Sequence, residues 1–238
     1  TEVYLTHFDE GNDRLVALIE EYGFEYASTL PNGENIYLKN LSIDDNAAAE
    51  CTPIEILNKY YPSYYDGDGV HKWIVPIQPE YHQKLFTDYK NRQLKLSEFG
   101  GNFIVEGNAI KKAYICNAPV KKISPGDLVF FYRSGDEHAI TTLGVVEYAT
   151  RNEDVDEILK LVAKRTVYSI EELKEKKKPV LIILFRPIFH YSIPIKLANV
   201  GIKSAPQSIS GLSEEQYYQI KKYEDKNGRL AVGKAKIR

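Results

Sequence analysis

The chain has 238 residues, 43% of them hydrophobic and 27% charged, which suits one large folded domain or one and a half ordinary ones and excludes a disordered tail or a small stapled scaffold. No run approaches the roughly 18 consecutive apolar residues that a membrane span needs; the most apolar stretch, Pro179 to Ile188, is broken by Arg186 and Pro187. The net charge of −2 averages two unlike parts: residues 1–70 carry 14 acidic and 3 basic side chains, residues 71–238 carry 19 and 28. A cationic second part can attract a polyanion such as nucleic acid. Methionine is absent, which marks the chain as a fragment, a processed form, or one written without its modified methionines.

In chain order, Val3 and Leu5 share one side of a short strand, and Leu15, Val16, Leu18, Ile19 and Tyr22 recur at helical spacing until Gly23 ends the helix. Phe24 to Ser28 reads as a strand, Pro31-Asn32-Gly33 as a hairpin turn needing positive φ, and Glu34 to Leu38 as the return strand. A piece this short buries too little surface to be stable alone. Residues 42–70 hold a short helix at Pro53 to Tyr60 and a turn-rich connector, Tyr61 to Gly69, whose tyrosines imply that it lies against a surface. From His71 the pattern becomes strands at Lys72–Ile77, Ala113–Cys116, Asp127–Tyr132, Ala139–Tyr148 and Val180–Phe185, with helices at Pro79–Lys90, Asp154–Ala163 and Ser213–Tyr223. Strands of unequal spacing with helices between them predict an α+β fold built on a small mixed β-barrel with inserted helices. After Gly228 the tail is basic and patternless and is expected to fray. The expected parts are residues 1–41, a connector at 42–70, a domain at 71–225 and a tail at 226–238.

Cys51 and Cys116, the only cysteines, lie far apart with no CxxC spacing and no histidine cluster, so neither disulfide nor zinc is expected. Free thiols, and a start at Thr1 to Leu5 without a signal-peptide pattern, point to the cytoplasm.

Four pieces between Trp73 and Tyr223 carry a family resemblance: the Lys72-Trp73-Ile74-Val75-Pro76-Ile77 strand, the run Ser124-Pro125-Gly126-Asp127 through Ser134, the Leu143-Gly144-Val145-Val146-Glu147 strand and the Pro206-Gln207-Ser208-Ile209 loop. In order and spacing they resemble the EVE branch of the PUA-like superfamily, related to the YTH and ASCH domains. The run Pro76-Ile77-Gln78-Pro79 departs from the usual EVE opening, where an acidic residue and a proline follow the tryptophan strand. Residues 1–41 resemble the C-terminal end of the GNAT acetyltransferase fold: a strand, a helix ending in Glu21-Tyr22-Gly23-Phe24, and a hairpin closing on Ile36-Tyr37-Leu38-Lys39. That resemblance makes the first module a partial GNAT-like one. The family's glycine-rich acetyl-CoA loop does not occur in these residues, so no cofactor is expected in this chain, and acetyl-CoA would belong to a full-length protein.

The PUA-like resemblance implies a pocket that accepts a nucleobase. Such a pocket needs an aromatic wall for stacking and polar groups to read the base edge. Trp73 is the first candidate wall, with a core residue whose indole N–H is satisfied as the equal alternative. Along Phe130 to Ser134 side chains alternate, and Tyr132, Arg133 and Ser134 sit where a barrel would open. Arg133 can fork onto a phosphate or pair with Asp136 or Glu137. Gln207 and Ser208 offer an amide and a hydroxyl beside a proline, while Ser213 and Gln216 form a capping box. Asn102 tips a glycine turn that could line the pocket. Basic pairs and the run Lys174 to Lys178 read as solvated surface, and residues 71–220 hold only 21 bases against 17 acids. Histidines 7, 71, 82, 138 and 190 are scattered, and no catalytic set is assigned. The expected function is therefore a nucleic-acid-binding module, for DNA or RNA and reading a modified base, attached to an acetyltransferase-like domain. The alternative is an N-acetyltransferase whose cofactor-binding half lies outside this chain. No membrane partner is expected.

Overall fold

The computed structural model describes residues 2–8, 10–43, 48–89, 110–162, 165–226 and 234–235. They fall into two compact units, residues 1–70 with 230–238 and residues 71–229.

In the first unit, β1 (Glu2–His7), α1 (Asp13–Glu21), β2 (Glu25–Thr29) and β3 (Asn35–Asn40) form the expected strand, helix and hairpin, with β3 between β1 and β2 and antiparallel to both. Gly33 has the positive φ, +91°, that its turn demands. Tyr37 and Lys39 of β3 are buried. Lys39 Nζ donates to the carbonyl of Tyr22 at the end of α1 and to that of Asn58 in α2 (Pro53–Tyr60), so one ammonium gathers two orphan carbonyls at helix ends. Gly23 adopts φ +79°, and a Cβ there would collide with the backbone of Lys59, which explains the glycine in the Tyr-Gly-Phe turn. In the connector Tyr60 and Tyr64 are buried. Tyr64 and Tyr65 form β4, paired in parallel with the short strand Lys234–Ala235. The tail expected to be patternless therefore contributes a strand, because β4 offers it an open edge.

The second unit carries β5 (Lys72–Ile77), α3 (Pro79–Leu85), β6 (Lys112–Cys116), β7 (Leu128–Arg133), β8 (Ala139–Asn152), α4 (Val155–Val162), α5 (Ile170–Glu175), β9 (Val180–Lys196), the 3-10 helix Leu197–Val200, β10 (Ser210–Gly211) and α6 (Glu214–Lys226). The strands form one sheet in the order β10-β5-β7-β8-β9-β6. Only β5 and β7 pair in parallel. The barrel expectation is corrected here: the sheet is open, with β10 and β6 at its edges. Pro76 has no N–H to extend a ladder, and β10 covers only Trp73 and Ile74. A side chain links the two sides instead, since Tyr114 Oη of β6 donates to the Pro76 carbonyl at 2.8 Å. Strand β9 also outruns the expected end at Phe185 by eleven residues.

One face of the sheet buries Val75, Ile77, Val129, Phe131 and Phe185 with Leu85 and Phe86 from and just after α3. The Phe131 ring lies 5.0 Å from Phe86 and 4.8 Å from Phe185, and each such buried ring contributes roughly 1.5–3 kcal/mol. On the other face Phe130 meets Tyr217 of α6 at 5.8 Å. That helix starts at the predicted capping box: Gln216 N donates to Ser213 Oγ and Ser213 N to Gln216 Oε1. Among the described residues no helix is long and apolar enough to cross a membrane.

At the centre of the sheet Gly144 pairs with Val129 and Pro187. A Cβ at this position would lie 2.8 Å from the Phe185 ring and 3.2 Å from the Arg186 carbonyl. Gly144→Ala is expected to destabilise the unit by about 1–3 kcal/mol, measured as a lower denaturant midpoint at unchanged slope.

Candidate functional site

The Gly126-Asp127 turn sets up the start of β7. The Asp127 carboxylate is buried and accepts from His71 N, Ser124 N and Trp73 Nε1, each at 2.9 Å. Trp73 therefore has its indole N–H satisfied and packs, half-buried, against the core, with the His71 ring 6.0 Å away.

A second polar group lies on the same sheet face, at the far end of β7. Between β7 and β8 the register slips, so that Thr142 faces Phe131 and Ile140 faces Tyr132, leaving Thr141 as the extra residue of a bulge. Bulges re-aim side chains, and here both threonine hydroxyls enter the interior, where both residues are fully buried. Thr141 Oγ1 lies within hydrogen-bond reach of the Phe131 carbonyl, at 3.2 Å, of Thr142 Oγ1 and of His82 Nε2, at 2.8 Å. His82 Nδ1 lies 3.5 Å from Arg133 Nη1 on its other side. Thr142 Oγ1 is 2.8 Å from His190 Nδ1, and His190 Nε2 is 3.2 Å from Asp88 Oδ1. The hydrogen bond from His190 holds the Asp88 carboxyl below the usual aspartate range. A continuous chain thus runs Asp136, Arg133, His82, Thr141, Thr142, His190, Asp88. Phe86 and Tyr89 wall it, with ring centroids 4.9–5.5 Å from the two imidazoles.

Lys112, the first residue of β6, is 2% exposed, and its Nζ makes no hydrogen bond. Burial pushes its amine down, and the nearby charge of Asp88 opposes that shift. A buried ammonium with no acceptor is costly to fold around, and it marks where a ligand acceptor would be welcome.

The sequence-derived candidates separate in space. Trp73 pairs in register with Val129, and Val129, Phe131 and Arg133 share a face. Tyr132 points to the opposite face and is buried, with burial raising its phenol. Trp73 and Tyr132 therefore do not line one cavity. Arg133 forks onto Asp136, with Nε to Oδ1 at 2.8 Å and Nη2 to Oδ2 at 2.5 Å, and it alone of the candidates joins the polar chain. Ser134 Oγ donates to the Ile77 carbonyl at 3.2 Å. Gln207 is exposed and Ser208 half-buried in the loop before β10, which the antiparallel pairing of Ser210 with Ile74 and Gly211 with Trp73 carries away from Trp73, toward the Ile77 end of β5. Asn102 lies outside the described residues. His82, Asp88, Lys112, Thr141, Thr142 and His190 were not anticipated; the Thr-Thr pair inside an apolar strand was the one available signal.

No family model and no curated protein matches the chain. Among solved structures it is similar to ASCH from Zymomonas mobilis, at 14% identity and a TM-score of 0.47 over 64% of this chain and 94% of that one. It is also similar to the DUF55 domain of human thymocyte nuclear protein 1, at 15% identity and a TM-score of 0.36 over 65% and 98%. A third is protein Atu2648 from Agrobacterium tumefaciens, at 14% and 0.37 over 65% and 92%.

Two stability measurements probe the site. Folding lowers the amine pKa of Lys112, so its ammonium costs stability at neutral pH, and the cost is relieved as pH rises toward the ordinary lysine value. Lys112→Met should raise stability at pH 7 by about 1 kcal/mol or more, with the advantage shrinking in alkali. Asp88 has the opposite sign: its contribution is complete above the ordinary aspartate range of about pH 4 and is lost as pH falls through the lower folded value. Asp88→Asn should flatten the acid limb of a stability-against-pH curve.

Proposed function

We propose that residues 71–225 form a PUA-like nucleic-acid-binding module that takes a flipped, modified base into the polar interior beside Lys112. The observation that carries this reading is the unpartnered, buried Lys112 ammonium, whose charge acts on that of Asp88, the last member of the chain that continues through His190 to Thr142. These are convergent donors and acceptors of the kind that read a base edge. Phe86 and Tyr89 offer it aromatic walls. Trp73 at the start of β5, Gln207 and Ser208 in the loop before β10, and Tyr132, Arg133 and Ser134 remain the contacts proposed for flanking nucleotides. Asn102 completes that set from the sequence alone.

The strand, helix and hairpin of the first unit support a further part of the proposal, that the module is attached to an acetyltransferase-like domain. On that reading the full-length protein would supply acetyl-CoA from residues outside this chain, and an N-acetyltransferase is the competing activity.

Titrating fluorescent DNA and RNA oligonucleotides, with and without methylated bases, against wild type, Trp73→Ala and Lys112→Met tests the binding reading. The charge excess of residues 71–220 is small, so binding should be weak and salt-dependent, each phosphate contact adding roughly 0.7–0.9 to the logarithmic slope. Lys112→Met is expected to weaken binding about tenfold or more while leaving the slope unchanged, since it reads a base and not a phosphate. Equal affinity across the three proteins, or no binding at all, overturns the proposal.

A further inference from the structure

The run Lys174 to Lys178, expected to be solvated, is in part committed. Lys178 Nζ donates to the carbonyls of Leu173, Lys174 and Lys176 and so closes the C-terminus of α5. With that role filled, Lys176 folds back the other way, and its Nζ lies 3.9 Å from the centroid of the Tyr168 ring. Tyr168 precedes α5, whose capping box of Ser169 and Glu172 fixes the approach of the chain. The ring of Tyr81, on α3, stands 5.0 Å from that of Tyr168 at a tilt of 40°, and Lys84 Nζ lies 5.9 Å from Tyr81.

Lys176 forms no ion pair among the described residues, so its ammonium is held by the aromatic face. The surroundings favour a cation: the charges of Glu80 and Glu172 act on both phenols and, with burial as the leading cause, raise them. Tyr168 is 9% exposed and Tyr81 half-buried, so withdrawal of Lys176 would open the face it covers. Partial burial lowers the Lys176 amine, opposed by Cys116 and Glu172. The ammonium is thus less settled here than it would be in water.

We infer that the Tyr81–Tyr168 pair is a binding site for a small quaternary alkylammonium group, closed in the free protein by the chain's own Lys176. A quaternary ammonium carries the charge of lysine without N–H groups that must find acceptors, so it loses less on leaving water and suits an aromatic face. The site stands on different residues from the polar interior and does not depend on the nucleic-acid reading.

Titration of tetramethylammonium by calorimetry tests the inference, with tert-butanol as the neutral analogue and thermal unfolding to show that each protein is folded. Lys176→Ala removes both charge and bulk and should bind tetramethylammonium at least about tenfold more tightly than wild type. Lys176→Met, which keeps the bulk, should show little gain, and tert-butanol should show none with any protein. Adding Tyr168→Leu to Lys176→Ala should abolish the gain. Lys176→Ser repeats the test should Lys176→Ala fail to fold. Equal binding by wild type and the folded small-residue variant, or a gain that survives loss of Tyr168, overturns the inference.

Discussion

The second unit is organised around a single buried carboxylate. Asp127 takes N–H groups from His71, Ser124 and Trp73, three donors that arrive from two segments more than fifty residues apart in sequence. A buried carboxylate is tolerated only when such donors surround it, and meeting them leaves one way to lay β5 beside β7. The parallel register from Lys72 opposite Leu128 to Ile77 opposite Arg133 follows from that choice. Register in turn decides which layer each side chain joins: a slip of one residue would exchange Phe131, packed on Phe86 and Phe185, with Phe130, packed on Tyr217. Both the aromatic core and the placement of Arg133 beside His82 therefore depend on this one anion.

At the opposite end of the same strands the bulge at Thr141 turns an apolar sheet face into a polar one. Without the extra residue, Thr141 and Thr142 would point to opposite faces of the sheet, and the two imidazoles would have no hydroxyl between them. The resulting chain of hydrogen bonds engages each of its seven members, while Lys112, outside the chain and coupled to it only through the charge of Asp88, keeps a buried ammonium without a hydrogen bond. The aromatic pair at Tyr81 and Tyr168 differs in kind, because there the protein has already supplied the cation from its own surface.

Much of the scaffold was legible in the sequence because it is written locally. The short apolar strand pattern at Lys72–Ile77 marked β5, Pro53 and a following helical pattern marked α2, and Ser213 with Gln216 marked the entry to α6. The open edge was not legible, since whether strands close into a barrel depends on partners that no local pattern names. Strand β9 was cut short because Arg186 and Pro187 read as breakers. In the fold Arg186 pairs with Glu147, and Pro187 sits opposite Gly144 next to a register irregularity, where a missing N–H does least harm. The polar site was hidden for a similar reason: His82, Lys112, Thr142 and His190 come from four elements, and none carries a spacing signature. Arg133 was singled out and its pairing with Asp136 was one of the two alternatives read from the sequence, as found, but its contact with His82 depends on a helix far away in the chain.

The position of β10 bears on the order in which the polypeptide can assemble. The two residues Ser210 and Gly211 cover Trp73 and Ile74, Leu212 N donates to the Lys72 carbonyl, and Glu214 reaches the buried Lys72 ammonium across 142 positions of sequence. Strand β5 is thus made early and flanked late: β7 arrives some fifty residues after it, and its other edge waits until the far end of the unit has been synthesised. A nascent chain emerging from the ribosome carries Lys72 to Ile77 as an apolar ribbon without its neighbours. Contacts of such long range slow folding and leave the ribbon open to mispairing in the interval. The Lys72–Glu214 pair, small as its equilibrium contribution is at a partly exposed site, can form only once the far end of the unit has been synthesised.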